Sequence, residues 1–148
     1  MSTEEITWEI EQIKQLKDRY FRCLDEHRWD ELRRVFTEDV QLIVDLDPRG
    51  ENAYRVDGAD NFIADVSTML KEVSHVHHGH MPEITLEGER RARGIWAMFD
   101  HLVYADRVTD GYGHYREQYR RGPDGAWRIA RLHLTRLRIE TTPIVPPS

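Results

Sequence analysis

The stretch from Ser74 to Asp106 limits most strongly what this chain can become. It reads Ser-His-Val-His-His-Gly-His-Met-Pro-Glu-Ile-Thr-Leu, then Glu-Gly-Glu, then Arg-Arg-Ala-Arg-Gly-Ile-Trp-Ala-Met-Phe-Asp-His-Leu-Val-Tyr-Ala-Asp. Two β-rich runs flank a short turn containing Gly88, which predicts a long antiparallel hairpin. Gly94 and the lack of capping residues argue against a buried helix over 92–104. Strand side chains alternate faces, so Ala92, Gly94, Trp96, Met98, Asp100, Leu102 and Tyr104 share one side. Asp100 is out of place on that apolar side, because a buried carboxylate without a partner is costly. Four of the eight histidines, His75, His77, His78 and His80, crowd into the first arm.

Upstream, Ile6, Ile10, Ile13, Leu16, Tyr20 and Leu24 recur at helical spacing while Glu9, Glu11, Lys14 and Lys17 read as the polar face. Ser2 or Thr3 caps this helix over roughly 4–26, and Glu4 and Glu5 suit its N-terminal dipole. Trp29, Leu32, Val35 and Phe36 predict a short second helix. Val40 to Asp45 predicts a strand, and Tyr54-Arg55-Val56 a brief one. Phe62, Ile63, Val66, Met69 and Leu70 predict a third helix over 59–71. After the hairpin, Thr109-Asp110-Gly111 reads as a turn and Tyr112 to Arg121 as a strand. Gly122-Pro123-Asp124-Gly125 is turn chemistry, and Ala126 to Glu140 is a last long strand. The tail from Thr142 is too rich in proline for a sheet centre and is expected to be extended.

Helices ahead of a meandering antiparallel sheet define an α+β domain. Strands of a dozen residues curl, so the expected shape is a cone-shaped roll, with three N-terminal helices on a strongly curved, mostly antiparallel sheet enclosing a pocket. One domain spans 1–148, with a core over 4–140 and no linker or internal repeat. Its outer sheet face carries Ile95, Ala97, Phe99 and Val103, too apolar for full solvation, which predicts a homo-oligomer, dimer or trimer, through that face.

Composition removes several function classes. The 148 residues are 39% hydrophobic and 32% charged, as in ordinary globular domains. A net charge of −6 argues against nucleic acid as a partner, although Arg116, Arg120 and Arg121 could form a local basic patch. No apolar run approaches a membrane span, and no basic and apolar leader opens the chain. Cys23 is the single cysteine, which points to a reducing, cytoplasmic setting. Mid-helix and far from basic groups, it reads as inert. No phosphate-binding or dinucleotide fingerprint is present, and no cofactor is expected.

The histidine cluster raises the question of a metal. His75 and His77 share one face, while His78 and His80 share the other. Asp100 could complete three ligands with one pair, but the reading adopted is a site without metal. Tyr112, Tyr115, Tyr119, Trp96 and Trp127 could line a pocket for an aromatic or steroid-like ring, or simply pack the core.

Arg19-Tyr20, Leu24-Asp25, Trp29-Asp30-Glu31-Leu32, Phe36-Thr37-Glu38-Asp39-Val40, the His-rich strand, Ala92-Arg93-Gly94-Ile95-Trp96, Gly113-His114-Tyr115 and Trp127-Arg128-Ile129 together resemble the SnoaL-like branch of the nuclear-transport-factor-two-like superfamily. The resemblance covers roughly 4–140 and implies the same cone. That superfamily holds dehydratases, isomerases, cyclases and non-catalytic members. The pattern is most similar to scytalone dehydratase and a bile-acid 7α-dehydratase. It implies catalytic roles for Tyr20, Asp25, His77 and Asp100, with Arg136 or Arg138 as the accompanying cation. His77 would move protons, Asp25 would orient it, and Asp100 and Tyr20 would serve the oxygen side. Trp96, Met98, Tyr115 and Arg136 would contact the substrate. A second catalytic histidine, as in scytalone dehydratase, has only His101 or His114 as loose counterparts. The implied function is a small cofactor-independent lyase or isomerase acting on a hydrophobic polycyclic, steroid-like or polyketide-like molecule. The alternative is a ligand-binding or assembly module of the same fold without chemistry.

Overall fold

The computed structural model describes residues 1–146; the last two residues of the proline-rich tail lie outside the described residues. The elements are α1 (Thr3–Asp25), α2 (Trp29–Arg33), β1 (Phe36–Asp45), β2 (Ala53–Asp57), α3 (Ala59–Met69), β3 (Ser74–Leu86), β4 (Arg91–Val103), β5 (Arg107–Arg121) and β6 (Trp127–Pro143). The six strands form one sheet in the order β2-β1-β6-β5-β4-β3, antiparallel except where β1 runs parallel to β6. Register shifts interrupt β3 between His80 and Glu83 and β5–β6 at Tyr112/Gly113 and Gln118/Tyr119. Such irregularities add twist and bend long strands. The result is the expected α+β cone, with helices against one curved face.

Ser2 caps α1 in a reciprocal box: its hydroxyl accepts from the Glu5 N–H, and the Glu5 carboxylate accepts from the Ser2 N–H. The buried stripe of α1 differs from the sequence expectation at its start. Ile6 is exposed, whereas Glu9 and Lys17, expected on the polar face, are buried. The Trp127 indole N–H, at 2.5 Å, and Arg121 hold the Glu9 carboxylate. The second helix is shorter than expected. It ends at Arg33, and Phe36 opens β1 four residues ahead of the predicted strand.

The expected hairpin is present as β3 and β4, and Ala92, Gly94, Trp96, Met98 and Asp100 all turn inward. One predicted turn is misplaced. Thr109-Asp110-Gly111 lies inside β5, and the reversal occurs at Tyr104–Asp106 instead. Gly79 on β3 lets α1 come close: a Cβ there would stand 2.6 Å from Phe21 Cζ. That approach brings the end of α1 onto the outermost strand of the sheet. No helix among the described residues is long and apolar enough to cross a membrane.

Candidate active site

Asp25 is the last residue of α1, and the chain leaves that helix through His27 in the left-handed region (φ 57°). Histidine tolerates this conformation better than branched residues. The turn swings the His27 ring beneath β3, stacked against Trp29 and His75. β3 is an edge strand, so its outward backbone donors need partners. Asp25 supplies one: its Oδ2 accepts from the His77 N–H at 3.0 Å. The contact that fixes the helix end to the sheet also sets the carboxylate beside two rings.

Asp25 Oδ1 lies 2.8 Å from His77 Nδ1 and 3.2 Å from His75 Nδ1, and the two Nδ1 atoms are 3.4 Å apart. Beyond them, His75 Nε2 meets His27 Nε2 at 2.8 Å. His77 Nε2 has no hydrogen-bond partner among the described residues. Burial opposes the charge on Asp25, but hydrogen bonds from His75, from the His77 ring and from the His77 backbone prevail. They hold its pKa down at about 2. The His75 side chain is fully enclosed, while His77 keeps 10% and Asp25 22% of their side-chain surface. Solvent therefore reaches the dyad.

Asp100 sits opposite His77 in the β3–β4 register on the same inner face, but its side chain turns toward β6. Arg136 Nη1 donates to Asp100 Oδ2 at 3.0 Å, and Arg136 Nε donates to the Asp45 carbonyl at 3.1 Å. Asp100 Oδ1 is buried without a partner among the described residues. The choice between the two arginines falls to Arg136, because Arg138 lies outside, paired with Glu140. Tyr20 is buried edge-on to Phe21, Phe36 and Tyr115. Burial, reinforced by the Glu117 charge, raises its pKa well above the phenol range, so it is an O–H donor. Trp96, Met98 and Tyr115 are buried among the core side chains, and Trp96 gives its N–H to the Tyr119 hydroxyl. Tyr112 faces the other way, against Phe99.

The sequence reading missed two members of the cluster. His75 entered it only as one of a metal-type pair, and His27 only as a turn residue. The loose candidates for a second histidine lie elsewhere. His101 bonds Asp110 at 2.5 Å, away from the Asp25 cluster, and His114 pairs across to Ala97 and Thr135. The parity of the histidines was the available signal for His75; no sequence signal pointed to His27. A cleft of about 660 Å³ opens among Arg33, Arg34, Thr37, Arg120 and Arg128, and no residue of the cluster lines it. A hollow of about 360 Å³ at His27, Arg28 and Trp29 touches its outer end.

A curved six-stranded sheet with helices against one face is the α+β cone of the nuclear-transport-factor-two-like class. Within that class, residues 5–133 match the SnoaL-like domain, and the chain belongs to that family. Solved structures agree on the fold. A candidate scytalone dehydratase of Novosphingobium aromaticivorans superposes with a TM-score of 0.82 at 19% identity, covering 94% of this chain and 91% of that one. A hexachlorocyclohexane dehydrochlorinase, LinA type 3 of Novosphingobium barchaimii, gives 0.77 at 19% identity, covering 99% and 100%. A Mycobacterium tuberculosis protein of unknown function, Rv3472, solved with an Asp-to-Asn change, gives 0.77 at 23%, covering 93% and 78%.

Proposed function

We propose that this protein is a lyase that removes a proton and a leaving group from adjacent carbons of a hydrophobic, ring-containing substrate. Support comes above all from one observation: His77 presents Nδ1 to Asp25 at 2.8 Å and leaves Nε2 without a partner among the described residues. With Nδ1–H donated to the carboxylate, Nε2 carries the lone pair. This is the tautomer a general base needs, and the carboxylate stabilises the imidazolium that forms. In the proposed step Nε2 takes a carbon-bound proton, the C–H electrons become the second bond of an alkene, and the leaving group departs with its bonding pair. A hydroxide leaving group takes the proton back from the imidazolium and leaves as water, with the Tyr20 hydroxyl as its hydrogen-bond donor. Asp100 Oδ1, with no partner of its own among the described residues, is the acceptor for a substrate O–H, and Arg136 holds that carboxylate in place. The dehydratase and dehydrochlorinase neighbours support a reaction of this class. Polycyclic, steroid-like or polyketide-like molecules remain the proposed substrates, with Trp96, Met98 and Tyr115 as their apolar contacts.

A specific observation favours a second reading, a ligand-binding or assembly module without chemistry. The rings of Tyr20, Phe21, Phe36 and Tyr115 contact one another through the interior and leave little room there. The two readings separate on one variant. A panel of hydroxylated and halogenated polycyclic compounds is screened for alkene formation by mass spectrometry, and the substrate found is tested with His77→Ala. The lyase reading expects turnover to fall by about 10²–10⁴ with the circular dichroism spectrum unchanged. No turnover across the panel, with retained binding of its members, would favour the module.

A further inference from the structure

The cluster contains more than a dyad. Three ligand atoms of three residues, Asp25 Oδ1, His75 Nδ1 and His77 Nδ1, converge within one small triangle. Its edges are 2.8, 3.2 and 3.4 Å. A tetrahedral zinc ion bound at about 2.0–2.1 Å needs ligand atoms about 3.3–3.4 Å apart. Two edges of the triangle are already near that value. The third, between Asp25 and His77, must open by about half an ångström, a small rotation of a side chain that is not fully enclosed. Acid–base chemistry at His77 does not account for His75, which is fully buried and yet aims Nδ1 at the same oxygen.

The surroundings also suit an ion. Metal-bound histidines commonly give their other ring N–H to a fixed acceptor. His75 Nε2 has such a partner in His27 Nε2 at 2.8 Å. The second carboxylate oxygen of Asp25 is held by the His77 backbone N–H. The three ligands sit on two rigid elements, the end of α1 and the edge strand β3, and are joined through that same hydrogen bond. With three protein ligands, a fourth position is left for water or another small ligand.

We propose that Asp25, His75 and His77 form a three-ligand site for a divalent transition-metal ion, best suited to zinc, and that bound metal and the acid–base dyad are alternative states of the same side chains. The exclusion follows from tautomers. The dyad needs the proton of His77 on Nδ1 and a lone pair on Nε2. Metal coordination takes the Nδ1 lone pair and moves the proton to Nε2, which turns the base into an N–H donor. Zinc is therefore an inhibitor of the proposed elimination. The binding site itself stands on geometry alone; only the inhibition rests on the lyase reading.

The full chain, stripped of metal with a chelator, is titrated with Zn²⁺ against a chromophoric indicator, and in parallel with Co²⁺ while its visible absorption is read. The proposal expects one ion per chain and the intense visible bands of tetrahedral cobalt. His75→Ala should weaken Zn²⁺ by more than about 100-fold, and His27→Ala, which removes an outer partner, by about 10–100-fold. His78→Ala/His80→Ala, on the opposite face, should bind as the parent does. If His75→Ala fails to fold by circular dichroism, Asp25→Asn takes its place with the same expected loss. No binding by the parent, affinity kept in His75→Ala or its substitute, or affinity lost in the His78/His80 double variant overturns the site. These readouts involve no substrate. Metal that binds as expected while His77→Ala leaves turnover unaffected would sink the lyase reading and leave the site standing. Failure of binding with a strong His77→Ala effect would do the reverse.

Discussion

Lys17 and Asp25 lie about two turns apart on the same helix, and each reaches across to the sheet to meet an opposite or titratable group. Their surroundings differ completely. Lys17 Nζ donates to Glu117 Oε2 at 2.6 Å, with both side chains fully enclosed. Glu117 Oε1 accepts from Tyr119, whose oxygen in turn accepts from the Trp96 N–H. The ammonium also lies 3.5 Å from the Tyr115 ring centre and 3.8 Å from that of Tyr20. The Lys17–Glu117 contact has its principal hydrogen-bonding needs met from within. At Asp25 the cluster reaches solvent, and His77 Nε2 has no hydrogen-bond partner among the described residues. A satisfied and sealed ionic pair organises a fold. An accessible cluster with an acceptor to spare can receive a proton or a ligand. That contrast, rather than the count of charged residues, separates the structural site from the chemical one.

The largest effect expected is on the sealed side. Lys17→Met strands the Glu117 carboxylate in the core and should cost about 3–5 kcal/mol in denaturant unfolding. Adding Glu117→Leu should recover most of that loss, because the unpaired charge is then gone. A single variant as stable as the parent would show the pair to be dispensable and break the contrast. The next effect lies on the Asp25 side, at Gly111, which stands across from Asp100 in the row that includes His77. A Cβ there would overlap Asp100 Oδ1 and Arg136 Nη1. Gly111→Ala should therefore push the ion pair apart, costing about 1–3 kcal/mol by overpacking, and should lower turnover of any substrate whose oxygen Asp100 receives. Normal stability and turnover would mean that the pair can shift at no cost.

Gly111 also shows where the sequence was legible and where it was not. Thr-Asp-Gly has turn composition, but here the glycine makes room for a carboxylate and a guanidinium inside a strand. Composition cannot tell those two uses apart. The β3–β4 hairpin was legible because alternation over thirteen residues per strand leaves few alternatives. The parity of the four histidines was legible for the same reason: His75 and His77 are buried and His78 and His80 exposed. The burial of Glu9 and Lys17 was not, since a charge on a helix reads as solvated until its partner, 100 residues away for Lys17, is in place. The pairing of Asp25 with His77 was reached through family resemblance, because nothing local links residues 52 positions apart. His27 was hidden by its dependence on one backbone angle at the end of α1.

The two regions should also respond to opposite ends of the pH scale. The folded pKa of Asp25, about 2, lies below its ordinary 3.8. Its stabilisation is thus complete above about pH 4 and is lost as pH falls toward 2, a change of about 2 kcal/mol. Asp25→Asn should remove that acid limb from a stability–pH curve, so that parent and variant converge near pH 2. Burial lowers Lys17 to about 8 against the pull of Glu117. The unfolded chain then holds the extra proton, so stability should rise as pH passes from about 8 toward 10. Above that, the buried tyrosines Tyr20, Tyr115 and Tyr119, whose pKa values burial raises, reverse the trend. Lys17→Met should abolish the rise and leave the acid limb intact.

The smallest effect is the most informative about position. His78 and His80 share a strand and a residue type with His75 and His77, and they differ only in parity. Their rings pack loosely on the exposed side, 6.2 Å apart. Replacing both with alanine should change unfolding free energy by no more than about 0.5 kcal/mol. It should also leave turnover and its pH profile as they are. If the double variant instead loses activity, the chemistry lies on the outer face of β3. The enclosure that distinguishes Asp25 from Lys17 would then have no bearing on which cluster does the work.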